Sequence, residues 1–368
     1  MPGHKVLFVE EKQPDMSRVS ELLQACASQS QWANQGPLYH ALRALCVDYV
    51  GLPETWDVVP LANGGAALEA LAALQSCRAG RRLKWVASAY TFQNLGRGRF
   101  SDVLFLDCDN RGLLDLRALE ALDPVSYDGI IVTNPFGLYR DFSDYTAFAR
   151  RAGKRLLLDN ASGFHTQLPD VPWQAISLHH TKPYGLGEGG LAILPKDQAA
   201  RLVELTSYDL GLRDRDYWVG NSKISDVACA FLIDRIESVY RWGPSALEQR
   251  DRVITLASEL GLQPLHLPEG NIPMTSIPFL APHEVPYDQL MSSRHLTLQK
   301  YYVPAAALPN VTNIFNRVIN IPCHMDVARL SDDAICEDIQ TALGDFTLTN
   351  NRPDLVSRSF VQAGGGGS

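Results

Sequence analysis

No apolar run in this chain approaches the roughly 18 residues that a bilayer span needs, so no membrane segment is expected. The 368 residues carry 33 Lys and Arg against 41 Asp and Glu, a net charge of −8 with no basic block. That balance argues against nucleic acid or an anionic membrane as partner. Cysteine pairs at CxxC spacing are missing too. Cys26, Cys46, Cys77, Cys108, Cys229, Cys323 and Cys336 are odd in number and scattered, the pattern of free thiols in a reducing compartment rather than a disulfide frame or a zinc knuckle. The first dozen residues place charges at His4, Lys5 and Glu10 to Lys12 around a short apolar stretch. They lack the apolar core and small-residue cleavage site of a secretory signal. What is present is ordinary globular composition, 46 % hydrophobic and 20 % charged, over a length that suggests two domains. A cytoplasmic, core-forming protein is expected.

Short apolar runs bounded by turn residues recur at 57–61, 84–88, 103–106, 129–133, 155–158, 175–178 and 191–194. Between them lie helix-like stretches at 66–77, 115–121 and 142–152. This alternation predicts an α/β fold with a mostly parallel central sheet and helices on both faces. Ligands of such sheets sit at the carboxyl ends of the strands. Helical spacing at 226–241 and 245–260, broken at Gly243 and Pro244, leads into strand-like pieces at 274–279 and 318–321. A last helix is expected at 332–343, opened by Ser331 as N-cap. The organisation expected is a large ligand-binding domain over 1–240 with an amino-terminal arm, a smaller α+β domain over 241–346, and a tail over 347–368 that ends in a Gly-Gly-Gly-Gly-Ser linker.

Three elements could carry chemistry. Asn63-Gly64-Gly65 joins a strand end to a helix start, where free N–H groups and the helix dipole favour an anion. It is neither a Walker loop nor a GxGxxG turn. Asp159 follows the apolar run Leu156-Leu157-Leu158, at the ligand end of the sheet; by itself it reads first as a helix cap or turn former. Lys182 stands in a glycine-rich loop, Ser177-Leu178-His179-His180-Thr181-Lys182, followed by Gly185, Gly187, Gly189 and Gly190. A partly desolvated lysine loses pKa and attacks carbonyl carbon. His179 and His180 are adjacent on an extended segment and point to opposite faces, so a metal site is not expected. Together an anion pocket, a carboxylate and a lysine meet the needs of pyridoxal 5'-phosphate: a phosphate holder, a partner for the protonated ring nitrogen and an imine-forming amine.

The Ser-x-His-x-Thr-Lys and Gly-Glu-Gly-Gly signature over 177–190 resembles the DegT/DnrJ/EryC1/StrS family of pyridoxal-phosphate-dependent sugar aminotransferases. So do Asn34-Gln35-Gly36-Pro37 and Ile321-Pro322-Cys323-His324, which extend the likeness over most of the chain. The resemblance implies a fold-type-I transferase and cytoplasmic homodimers with shared active sites. It implies transfer of an amino group from an amino acid, glutamate foremost, to a keto-sugar, nucleotide-linked, in amino-sugar, polysaccharide or natural-product biosynthesis. Lys182 would form the imine and move the proton, and Asp159 would pair with the ring nitrogen. Gly64, Gly65 and Ser177 would hold the phosphate, Phe92 would stack on the ring, and Asn221 would reach the partner's phosphate. Three positions depart from the family pattern. Ser162 replaces the usual Gln, so that contact passes through water or to Asn134. Asn63-Gly64-Gly65 replaces Ser-Gly-Thr, and Ser222-Lys223 replaces Tyr-Arg. These leave open a non-sugar substrate, or elimination, cyclisation or decarboxylation on an amino acid. A cofactor-free scaffold would predict loss of Lys182 or Asp159, and both are present. Arg97, Arg99, Lys223 and the Lys300-Tyr301-Tyr302-Val303-Pro304 stretch are the substrate-contact candidates.

Overall fold

The computed structural model describes residues 5–208 and 212–344; the predicted tail over 347–368 lies outside them. Ten strands follow in chain order: β1 (Trp56–Leu61), β2 (Trp85–Ser88), β3 (Leu104–Leu106), β4 (Gly129–Thr133), β5 (Arg155–Asp159), β6 (Gln174–Ser177), β7 (Gly190–Pro195), β8 (Gln263–Pro264), β9 (Ser276–Leu280) and β10 (Val318–Pro322). The first seven form one sheet in the order β1-β7-β6-β5-β4-β2-β3, the last three an antiparallel sheet β10-β9-β8. In the large sheet β7 alone runs against its neighbours, pairing antiparallel with β1 and β6; β2 to β6 pair in parallel. The predicted fold class, mixed α/β with a mainly parallel sheet, is therefore what the chain adopts.

Both faces of the large sheet are covered, which is why its strands are continuous apolar runs rather than alternating ones. Val59, Leu61, Ile131, Leu157 and Leu194 bury against the helix Gly64–Ala79, which is apolar nearly all round. The neighbours Val58, Ile176 and Ile193 point to the other face, against the helices Pro37–Val50 and Asp226–Glu237. Farther along that face Val86, Ile130 and Leu158 join the core of the three-stranded sheet. The motif Gly36-Pro37 gains a physical reason here. The fully buried Asp226 accepts from Gly36, Leu38 and Tyr39 N–H at 3.1, 2.8 and 3.0 Å, so one helix start caps another. Such a cap is worth about 1 kcal/mol.

Two boundaries differ from the sequence reading. The helix after Asp226 ends at Glu237, and the next runs unbroken over Val239–Glu259 with Pro244 inside it. Pro244 costs that helix one hydrogen bond, about 3 kcal/mol in a free helix. Buried packing at Trp242, Gly243 and Ala246 offsets it, and the Trp242 indole donates to Arg235 O at 3.1 Å. The last helix is Asp332–Leu343, with Ser331 Oγ accepting from Ala334 N, as expected. None of the seven cysteines forms a disulfide, and no helix among the described residues is long and apolar enough to cross a membrane.

Candidate active site

Because β1, β2, β4, β5 and β6 run in one direction, the residues that follow them meet at one edge of the sheet. Asn63, Gly64 and Gly65 follow β1, Thr91 and Phe92 follow β2, Asn134 follows β4, Asp159 ends β5 and Ser177 ends β6. A cavity of about 350 Å³ is lined by these residues, Thr91 excepted, with Asn94, Thr133, Ala161, His179, Thr181, Lys182 and Tyr302. A second space, about 250 Å³, continues outward from Lys182 and is lined largely by Phe8, Val9, Phe136, Met274, Tyr301 and Tyr302. Ser162 lies on this outer side.

One end of the inner cavity is built on a helix start. Asn63 Oδ1 caps the helix by accepting from Ala66 N at 2.8 Å, leaving the Gly64 and Gly65 amides at the cavity wall. Close approach explains the glycines: a Cβ on Gly64 would sit 2.8 Å from Ser177 Cβ, and one on Gly190 only 2.2 Å from the Asn63 carbonyl carbon. Ser177 Oγ accepts from His179 N at 3.2 Å, which leaves its own proton to donate. Beside this turn the side-chain oxygen of Asn94 is buried with no hydrogen-bond partner among the described residues.

The opposite end holds the titratable pair. Asp159 is 5 % exposed and accepts from Ala161 N at 3.3 Å. Burial pushes its carboxyl up to about 6, with the Lys182 charge pulling the other way. Lys182 is pushed down by burial, opposed by Asp159, and its Nζ donates to Ser162 Oγ at 2.9 Å. The Thr91 and Thr133 hydroxyls share a 2.6 Å bond. Phe92, 56 % exposed, lines both spaces, so its ring is available to a ligand. Tyr302 stacks on Phe136 at 4.9 Å and closes the wall facing Asp159.

Other candidates are placed differently. Both amide hydrogens of Asn134 are committed, to Tyr139 O and Asn160 Oδ1, and its oxygen accepts from Tyr139 N, so it braces the loop and offers no donor to the cavity. Lys300 Nζ is bound to the carbonyls of Val285 and Asn316, while its neighbours Tyr301 and Tyr302 line the site. Arg97 bonds Gln93, Arg99 bonds Trp218 O, and Lys223 lies 5.5 Å over the Tyr208 ring; none of them lines either space. Asn221 is exposed and also outside the cavity of its own chain. Asn94, Phe136, Met274 and Thr275 line the site without having been found from sequence; each sits in a stretch with no motif.

Helix-start amides, a buried carboxylate and a desolvated lysine in one space fit pyridoxal phosphate. The Gly64 cradle that a Cβ would fill and the unpartnered Asn94 oxygen are further signs of a wall built around a ligand.

The sequence matches the DegT/DnrJ/EryC1/StrS aminotransferase family over residues 14–271. A relative from Streptoalloteichus tenebrarius, L-glutamine:2-deoxy-scyllo-inosose aminotransferase, is 25 % identical over 301 residues, 73 % of this chain and 69 % of that protein. Two solved structures share the fold. Helicobacter pylori PseC, an aminotransferase involved in the biosynthesis of pseudoaminic acid, superposes with a TM-score of 0.77 at 16 % identity, over 92 % of this chain and 99 % of that one. DesI, crystallised in the presence of its TDP-sugar product, gives 0.75 at 18 % identity over 92 % of each chain.

Proposed function

The chain belongs to the DegT/DnrJ/EryC1/StrS aminotransferase family and is a pyridoxal-phosphate-dependent aminotransferase, and from that premise we propose that it transfers an amino group from glutamate or glutamine to a keto-sugar at the cavity around Lys182. The observation that carries the assignment of residues is the convergence of Lys182, Asp159, Ser177 and the Gly64-Gly65 turn on one cavity. The relative named for an L-glutamine donor supports the choice of amino donor.

Pyridoxal phosphate supplies an aldehyde and an electron sink when bound. The chain's own residues do the rest. Gly64 and Gly65 amides at the helix start and the Ser177 hydroxyl hold the phosphate. Asp159 lies where a cationic ring nitrogen would keep it ionised against the pull of its burial. Lys182 Nζ, its pKa lowered by burial, would be the amine that reacts with the cofactor aldehyde and the group that would move the proton at the substrate carbon. Phe92, which lines both spaces, would stack on the ring and, with Tyr302 and Phe136, would exclude water. Ser162 Oγ accepts from Lys182 Nζ before reaction, which favours the charged amine.

The reading includes a cytoplasmic homodimer with shared sites. Asn221 stands exposed on the segment whose Ser222 carbonyl accepts from Ala62 N at 2.8 Å, directly behind the phosphate turn. That position supports a contribution to the partner's site.

The test is the half-reaction. Cofactor-loaded protein mixed with glutamate or glutamine should release the corresponding keto acid stoichiometrically, and a keto-sugar should then reverse the spectral change. Keto acid released without any response to keto-sugars would remove the acceptor assignment. No response to any amino donor would remove transamination and turn attention to the Ser162 and Lys223 departures.

A further inference from the structure

The loop that carries Lys182 is held by side chains from three distant segments. Lys12 Nζ donates to the carbonyls of His180 at 2.7 Å, Gly185 at 2.6 Å and Lys182. Thr275 Oγ1 donates to Thr181 O at 2.8 Å, and Arg235 Nε to Pro183 O at 2.9 Å. Four consecutive carbonyls, 180 to 183, are satisfied in this way rather than by strand or helix.

Lys12 lies on an amino-terminal segment stitched to both parts of the molecule. Val6 N donates to His295 O at 2.8 Å, His324 Nε2 lies 3.0 Å from Leu7 O, and Glu11 N donates to Asp326 Oδ2 at 2.7 Å. Beyond Lys12, Asp15 N donates to Asp234 Oδ2 at 3.1 Å. Glu10 pairs with Arg235 at 2.8 Å, both nearly buried, and the Arg235 guanidinium lies 3.8 Å over the Trp242 ring. Phe8 and Val9, just before Glu10, form part of the outer cavity wall. The segment therefore ties the lysine loop to the wall of the outer cavity.

Three carbonyl oxygens converge on one amine, and an ammonium offers three N–H donors and no acceptor. A neutral amine has two donors and would turn its lone pair on one carbonyl. We propose that the Lys12 ammonium is a positioning group for Lys182, fixing the loop over 180–185 so that Lys182 Nζ is presented to the cavity beside Ser162. This rests on the reading of Lys182 as the residue that reacts with the cofactor, and it adds a residue that touches neither cofactor nor substrate.

The surroundings of Lys12 make its hold depend on pH. Burial dominates and brings the amine from 10.5 down to about 7; Arg235 and Lys182 push the same way and Glu10 opposes them. His180 and His324 also face it, and both are themselves pushed down, chiefly by burial and in part by the Lys12 charge. The three-carbonyl hold weakens as pH rises through about 7.

Hydrogen exchange on the cofactor-free protein reads the loop directly, through the Lys182 and Gly185 amides that donate to His179 O and Lys182 O. In Lys12→Met these two amides should lose at least tenfold in protection at pH 6, with β4 and β5 unchanged. Lys12→Arg should keep more protection than Lys12→Met. In the wild type, protection of the same two amides should fall relative to β4 and β5 between pH 6 and pH 8.5. Wild-type protection in Lys12→Met overturns the proposal. Should that variant not fold, Lys12→Gln is measured in its place, and wild-type protection of the two amides in it overturns the proposal. No cofactor enters this measurement, so its outcome is separate from that of the cofactor reading. In the holoenzyme, Lys12→Met should also slow borohydride trapping at Lys182 at pH 6.

Discussion

Replacing Asp159 with Asn removes a buried charge while keeping its shape. In the cofactor-free protein the Asp159 carboxylate is nearly inaccessible, accepts from the Ala161 amide at 3.3 Å, and is pushed up from 3.8 to about 6 by burial. An acid whose folded pKa lies above its unfolded one stabilises the fold at low pH and loses that contribution as pH rises. Below 3.8 the carboxyl is protonated in both states and there is no penalty; above about 6 it is ionised in both and the penalty is complete. At about 1.4 kcal/mol per pH unit, the rise amounts to about 3 kcal/mol. Urea unfolding of cofactor-free wild type and Asp159→Asn at pH 4.5 and 7.5 reads this as a difference of differences. The variant should gain on the wild type by a large part of that amount as pH rises, while losing affinity for pyridoxal phosphate because an amide cannot balance a cationic ring nitrogen. If the two proteins keep a constant stability difference over this range, the buried-carboxylate account of the site is wrong.

Three further substitutions separate the parts of the site. Gly64→Ala places a Cβ 2.8 Å from Ser177 Cβ, an overpacking cost of about 1–3 kcal/mol. It should lower the melting temperature and abolish stabilisation by added phosphate; unchanged phosphate stabilisation would move the anion site elsewhere. Ser162→Ala removes the acceptor that Lys182 Nζ uses at 2.9 Å, worth about 1 kcal/mol. Lys182 then titrates lower still, and stopped-flow absorbance should show reaction with the cofactor aldehyde at neutral pH accelerated severalfold. Phe92→Ala alters an exposed ring, so stability should stay within about 0.5 kcal/mol. Cofactor affinity should fall up to about tenfold from lost stacking, measured by fluorescence titration.

The fold class and the centre of the site were legible because each element announces itself locally. A buried strand reads as an unbroken apolar run, and the ligand edge of a parallel sheet follows from strand direction, so Gly64, Asp159 and Lys182 could be placed together from short stretches, and the family resemblance added Ser177. What escaped was set by distant partners. Lys12 contacts His180 and Gly185 across 168 and 173 residues of chain, and in the sequence the charges from Glu10 to Lys12 look like any solvated stretch. Asp226 caps a helix start 190 residues away. Its Gly36-Pro37 partner was visible as a motif, but the carboxylate that requires the glycine was not. Gly243-Pro244 looked like a helix break because the local cost is real. The packing of Trp242 that outweighs it is tertiary, as is the burial that turns Lys300 from a substrate candidate into a holder of two carbonyls.

The central claim is that Lys182 is the amine that reacts with pyridoxal phosphate. Borohydride reduction of the protein loaded with the cofactor, followed by peptide mass mapping, tests it most directly. Wild type should carry one phosphopyridoxyl group per chain on the peptide containing Lys182, and Lys182→Ala should carry none while still binding the cofactor reversibly. A label on another lysine, or equal labelling of the two proteins, would contradict the account.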